Sequence, residues 1–205
     1  MTLMLDHLAI SCRTLDTGVA WVEERLGVTM QPGGSHALFG THNRLLGLAD
    51  GIYLEVIAPD PAAPAPDRPR WFGLDAVGHT PHLANWICRS DDLRADHAAA
   101  PPEVGEVVAV SRGALHWQIT VPPDGSLPMG GGYPTLIAWA DPLDHPAFRL
   151  PASGCRLTRL TVHHPDAATL ARSVKLADRR VQFAPADAPR FEAVFDTPAG
   201  PRVLA

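Results

Sequence analysis

Paired cysteines are missing from this sequence: Cys12, Cys88 and Cys155 lie far apart and none belongs to a CxxC motif. An odd, scattered set excludes a disulfide framework and offers no zinc or redox motif, so the three read as reduced, buried thiols. An excess of positive charge is missing too. The 17 Lys and Arg are scattered and outnumbered by 22 acids, for a formal charge of −5, which leaves no basic field for nucleic acid or an anionic membrane. No apolar run approaches membrane-spanning length, and Met1-Thr2-Leu3-Met4-Leu5 meets Asp6-His7 before a signal-peptide core can form. Hydrolase and nucleotide motifs are absent as well. There is no Gly-x-Ser-x-Gly elbow, no cysteine-protease signature, and Gly130-Gly131-Gly132 precedes a strand without the Lys-Ser/Thr of a phosphate loop. These absences point to a cytoplasmic protein with a small-molecule or protein partner.

What is present is a core-forming composition, 46% hydrophobic over 205 residues, arranged in a repeated order of elements. Leu3 to Ser11 reads as a strand with Leu8 and Ile10 on one face and Leu5, His7 and Ala9 on the other. Thr14 and Asp16 are helix-capping residues before Val19, Val22 and Leu26 at helical spacing, and Gly27 is placed to end that helix. Strands follow at Ser35 to Phe39, Asn43 to Leu48 and Ile52 to Ala58, giving β-α-β-β-β. After a Pro-rich stretch from Pro59 to Pro69, read as linker or surface loop, the order repeats. It runs through Leu83 to Arg89, a helix over Asp91 to Ala100, then Val104 to Ser111, Ala114 to Val121 and Tyr133 to Ala140. Similar segments, such as Tyr53-Leu54-Glu55-Val56-Ile57 and Tyr133-Pro134-Thr135-Leu136-Ile137, support internal duplication. Residues 151–205 read either as a third, shorter and partial module that packs on the second or mediates a homodimer, or as a plain C-terminal α+β extension. The chain is thus divided into 1–60, a linker at 61–82, 83–150 and 151–205.

Leu5-Asp6-His7-Leu8, Tyr53-Leu54-Glu55, Gly33-Gly34-Ser35-His36, Gly40-Thr41-His42-Asn43, Leu136-Ile137-Ala138-Trp139 and His145-Pro146-Ala147 occur in an order that resembles the vicinal-oxygen-chelate superfamily, in its glyoxalase-like branch. The resemblance implies an α+β fold of repeated βαβββ modules whose curved mixed sheet surrounds a cleft, as in glyoxalases and dihydroxybiphenyl dioxygenases. It also implies a divalent metal (Zn, Ni, Fe or Mn) held by a first-strand histidine and a fourth-strand glutamate. His7 and Glu55 match those positions. Imidazole and carboxylate suit such ions and leave positions open for two vicinal substrate oxygens.

The second module departs from the pattern, because Thr135 stands where Glu55 would recur and Leu83 where His7 would, or His82 in a shifted register. Either His7, Glu55 and one of His36 or His82 hold the metal, or the cleft binds ligands without it. Glu55 lies on a strand that otherwise reads buried, where an uncompensated carboxylate is costly, so it needs a metal, a proton or a cation such as Arg44 or Arg13. His36 is the candidate third ligand and, with Glu55, the candidate acid–base group. Thr41, Asn43, Thr135, Trp139 and His145 are candidates for substrate binding, although Thr41 and Asn43 have a simpler role as turn residues and His145-Pro146 as a fixed corner. The expected function is a metal-dependent lyase or isomerase of glyoxalase type. The competing expectation is a non-catalytic binding protein of the same fold, like those conferring bleomycin resistance.

Overall fold

The structure, a computed structural model, describes residues 2–205. The first module comprises β1 (Met4–Ser11), α1 (Leu15–Leu26), β2 (Gln31–His36), β3 (Thr41–Gly47) and β4 (Tyr53–Pro59). The second comprises β5 (His82–Arg89), α2 (Leu93–Ala99), β6 (Glu106–Arg112), β7 (Leu115–Val121) and β8 (Thr135–Trp139). Their strands form one eight-stranded mixed sheet in the order β2-β3-β4-β1-β5-β8-β7-β6. β1 and β5 pair antiparallel at its centre, and each runs parallel to the last strand of its own module. The sheet curls strongly enough for its two edges, β2 and β6, to come into contact.

The sequence features act locally as elementary chemistry requires. Thr14 caps α1 by accepting the Thr17 N–H, and Gly27 ends it in a left-handed conformation (φ 69°) while its N–H reaches Glu23 O. Along β4, Leu54, Val56 and Ala58 join the core on the convex side of the sheet, whereas Tyr53, Glu55 and Ile57 face the hollow. Strict alternation fails in β1. The register shifts between Leu5 and His7, so Asp6 is the extra residue of a β-bulge. Leu5 therefore joins Leu8 and Ile10 in the convex core instead of facing the same way as His7.

Two other expectations shift. β2 lies at Gln31–His36 rather than Ser35 to Phe39, with Gly33-Gly34 inside an irregular stretch of the strand. The turn falls at residues 37–40, which places Thr41 and Asn43 in β3. The loop between β4 and β5 exposes most of its prolines but folds Trp71, Phe72 and Leu74 back over the hollow, where they are buried with Phe39 and Ile57. It is one wall of the hollow as well as a connection.

Residues beyond 155 form β9 (Arg156–His164), α3 (Ala167–Ser173), β10 (Val181–Pro185), β11 (Arg190–Thr197) and β12 (Gly200–Leu204). Their element order repeats the modules, but their pairing does not: the sheet runs β10-β9-β11-β12, with its first strand inside rather than at one end. Leu157, Leu160, Phe191 and Phe195 pack with Leu8, Trp86 and Cys88 in one core, so this sheet covers the convex face. The hollow face carries the second apolar cluster and, among it, the buried polar groups His7, His36, Asn43 and Glu55.

Candidate functional site

The hollow encloses a cavity of about 30 Å³, room for two or three waters at about 10–15 Å³ each. β1 and β4 bring His7 and Tyr53 side by side, and their rings stack at 4.3 Å. Two residues further along β4, on the same face, Glu55 reaches back so that its Oε2 lies 3.6 Å from His7 Nε2. Both side chains are buried. The other ring nitrogen of His7 contacts Asp6 Oδ1 at 2.7 Å. Oδ2 of this fully buried aspartate accepts from Trp139 Nε1 (3.1 Å) and His145 Nε2 (2.9 Å), with Arg89 at 3.7 Å. The bulge in β1 is what allows adjacent Asp6 and His7 to share this face.

Burial alone would push the His7 pKa down, but the hydrogen bonds and charges of Asp6 and Glu55 carry it up to about 9. Burial would likewise raise Glu55, yet His7, His36 and Asn43 hold it below the usual carboxylate range. Asp6 is also lowered against its burial, by His145 and His7. At neutral pH the core of the site is an imidazolium between two carboxylates. The cation that satisfies Glu55 is thus His7, not Arg44, which is exposed, or Arg13, which reaches His79.

A second set of groups faces this one from the rim. Asn43 Nδ2 donates to Glu55 Oε1 (2.5 Å), while Asn43 Oδ1 accepts from Gly34 N (2.8 Å) and Arg112 NH1 (3.1 Å). Arg112, the last residue of β6, also approaches His36 Nε2 at 3.5 Å, so its side chain joins the sheet's two edges. Gly33 and Gly34 make this possible: a Cβ at Gly33 would lie 2.0 Å from Asn43 Oδ1, and one at Gly34 would lie 2.7 Å from Arg112 Cδ. His36 Nδ1 meets Thr41 Oγ1 at 3.1 Å, and Trp71 Nε1 donates to that same oxygen at 3.2 Å. Burial, aided by the nearby Arg112, brings the His36 pKa down to about 4, so its ring is neutral and its Nε2 accepts from the guanidinium.

Of the residues singled out from sequence, His7, His36, Asn43, Glu55 and Trp139 line the cavity. Thr41 stands behind His36. His145 lies behind Asp6, where its Nδ1 accepts the Ala147 N–H and its Nε2 proton goes to the aspartate. Thr135 accepts from Asn85 Nδ2 at 2.9 Å and does not line the cavity. His82 is exposed and Leu83 belongs to the convex core. Sequence reasoning missed Asp6, Tyr53 and Arg112. Asp6 and Tyr53 sat inside quoted motifs, whereas nothing local to Arg112 marks it.

The donor set does not fit the expected metal centre. His7 and Glu55 face each other, but His36 is turned to Thr41 and Arg112. Among the described residues no group of three or more His, Cys, Asp or Glu side chains is gathered to hold an ion. The expected set of His7, Glu55 and His36 is therefore not assembled, because a guanidinium lies against the nitrogen that would complete it.

Residues 5–176 match the family described as glyoxalase-like domain. The chain belongs to that family. It thereby falls in the vicinal-oxygen-chelate superfamily, as the sequence motifs imply. No curated protein matches the chain. Among solved structures, a hypothetical protein from Staphylococcus aureus is similar in fold, with a TM-score of 0.61 at 14% identity over 93% of this chain and 88% of that one. The Mn(II)-bound glyoxalase from Novosphingobium aromaticivorans aligns with a TM-score of 0.48 and 10% identity, covering 98% and 80% of the two chains. Methylmalonyl-CoA epimerase from Mycobacterium tuberculosis aligns with a TM-score of 0.42 and 22% identity, covering 66% and 85%. Among the described residues of this glyoxalase-like protein, no helix is long and apolar enough to cross a membrane.

Proposed function

We propose that this glyoxalase-like protein is a lyase or isomerase that moves a proton on a small substrate carrying oxygens on adjacent carbons. The observation that carries the reading is the buried pair of His7 and Glu55, 3.6 Å apart and facing one cavity, with the imidazole held by Asp6. Such paired acid and base groups with opposed pKa shifts are the means by which buried sites transfer protons. Glu55 takes the proton from the carbon next to a substrate carbonyl, and the C–H electron pair moves toward the carbonyl oxygen. His7 Nε2–H supplies that oxygen with a proton. Returning the Glu55 proton to the former carbonyl carbon, while the hydroxyl on the carbon that lost its hydrogen gives its proton to His7 and becomes the new carbonyl, completes an isomerisation; return of the enol proton to His7 with re-formation of the carbonyl, expulsion of a group from the carbon on the other side and transfer of the Glu55 proton to that group complete a lyase step. The aromatic wall of Trp71, Phe72, Trp117 and Trp139 excludes water from the intermediate. No step is assigned to a metal, since the third ligand is not in place.

A second reading, ligand binding without chemistry, is favoured by Thr135 and Leu83, which give the second module no copy of the His7–Glu55 pair. Deuterium exchange separates the two. Untagged protein in D₂O is incubated with dihydroxyacetone, hydroxyacetone, pyruvate and lactate, and proton NMR follows the C–H signals. Exchange that is lost in Glu55→Gln and His7→Gln supports the enzyme. Binding without exchange supports the second reading. Metal analysis of the same preparation is a separate check: near-stoichiometric transition metal that disappears in His7→Ala and Glu55→Ala would overturn the metal-free account.

A further inference from the structure

Arg112 is the one arginine or lysine lining the cavity among the described residues, and unlike half-buried Arg68, Arg70, Arg89 and Arg180 it meets no carboxylate. Arg112 instead meets two uncharged groups, Asn43 Oδ1 and His36 Nε2. Both contacts leave from the same nitrogen, NH1. The edge formed by Nε and NH2, the side of the fork that receives a carboxylate through two parallel bonds, has no protein partner among the described residues.

We infer that the substrate is a small carboxylate, a 2-oxo or 2-hydroxy acid, and that Arg112 is the residue that binds and orients it. A partly buried guanidinium without a counter-anion is unfavourable, and an anionic ligand relieves that cost. Two further observations agree. Glycine at position 34 keeps the space that the Arg112 side chain occupies, since a Cβ there would collide with its Cδ. The cavity volume of about 30 Å³ limits the buried part of a ligand to a few heavy atoms, which suits a carboxylate and its neighbouring carbon. The choice of a 2-oxo or 2-hydroxy acid rests on the proton-transfer reading; the selection of an anion does not.

The test is calorimetric titration of glycolate, lactate and pyruvate against the uncharged lactamide and hydroxyacetone, with inorganic phosphate as a third class. The wild-type protein should bind at least one acid about tenfold or more tighter than its uncharged counterpart. Arg112→Met should lose about ten- to hundredfold in acid affinity, the range of a charge-assisted hydrogen-bonded pair, and leave the uncharged compounds within about twofold. Arg112→Lys, which keeps the charge without the fork, should recover part of the loss and serves if Arg112→Met fails to fold by circular dichroism. Uncharged compounds binding as tightly as acids, phosphate outcompeting every carboxylate, no acid binding at millimolar concentration, or an undiminished acid preference in the Arg112 variants would each overturn the inference. Glu55→Gln separates the two claims: it should abolish deuterium exchange while keeping the preference for acids. If exchange is never seen but Arg112-dependent acid binding is, the proton-transfer reading fails and the anion site stands.

Discussion

Raising the pH from 6.5 to 9 should destabilise this protein chiefly through one side chain, with a smaller loss near pH 9 from the buried thiols of Cys12, Cys88 and Cys155, which burial holds above their ordinary pKa. His7 titrates near 6.5 when unfolded but at about 9 in the fold, where Asp6 and Glu55 outweigh its burial. A base whose pKa is raised on folding stabilises fully below its unfolded pKa, and that contribution drains away as pH climbs through the folded value. At about 1.4 kcal/mol per unit, the difference corresponds to about 3 kcal/mol of stability lost across the interval. For a chain of this size that amounts to a fall in Tm of roughly 6–12 °C. His36 adds nothing in this range, because its pKa of about 4 affects stability only below 6.5. There it acts in the opposite sense, costing stability as pH falls toward 4, so the profile should peak near pH 6.5. Differential scanning calorimetry at half-unit steps, in chelator-treated protein, provides the curve. His7→Gln should flatten the alkaline flank and leave the acid flank in place. A wild-type Tm that is level from 6.5 to 9, or an alkaline flank that survives undiminished in His7→Gln, would refute the assignment of a buried imidazolium; if the variant does not fold, direct NMR titration of the His7 ring answers the same question.

Asp6→Asn should cost roughly 3–5 kcal/mol by urea denaturation, since it removes one partner of a buried charge pair, and NMR should show the His7 pKa falling. An unchanged His7 pKa would mean that Asp6 does not hold the imidazolium. Gly34→Ala should leave secondary structure intact by circular dichroism but displace Arg112, whose Cδ lies 2.7 Å from the added carbon; acid binding should weaken about as much as in Arg112→Met, and full retention would show that the cradle is not required. Trp71→Ala should destabilise by roughly 3–5 kcal/mol, through loss of its stack on Phe39 at 4.1 Å and its bond to Thr41. It should also admit larger ligands, read by titration with longer 2-oxo acids; unchanged selectivity would argue that this wall does not set the size limit.

Much of the architecture was legible in the order of residues, because strand and helix periodicity, caps and duplication are local or near-local signals. Thr14 and Gly27 mark the first helix correctly, and the two βαβββ modules are visible in the spacing of apolar runs. The pairing of His7 with Glu55 came from resemblance, and the structure does bring them to one face. The third unit was readable as elements but not as topology, since the same order of strands permits different ladders and only tertiary packing chose β10-β9-β11-β12. The inserted Asp6 was hidden for a related reason: a bulge leaves no mark on the alternation until the partner strand is known.

What the sequence determined by itself is therefore the set of modules and the type of chemistry available on β1 and β4. Folding decided what those groups meet. Arg112, 57 positions beyond Glu55, comes to the site only because the sheet curls until β2 and β6 touch, and no local pattern encodes a contact made by closure. That curvature places a guanidinium against His36, the candidate third metal ligand, and so gives the cavity a cation that the motifs do not announce.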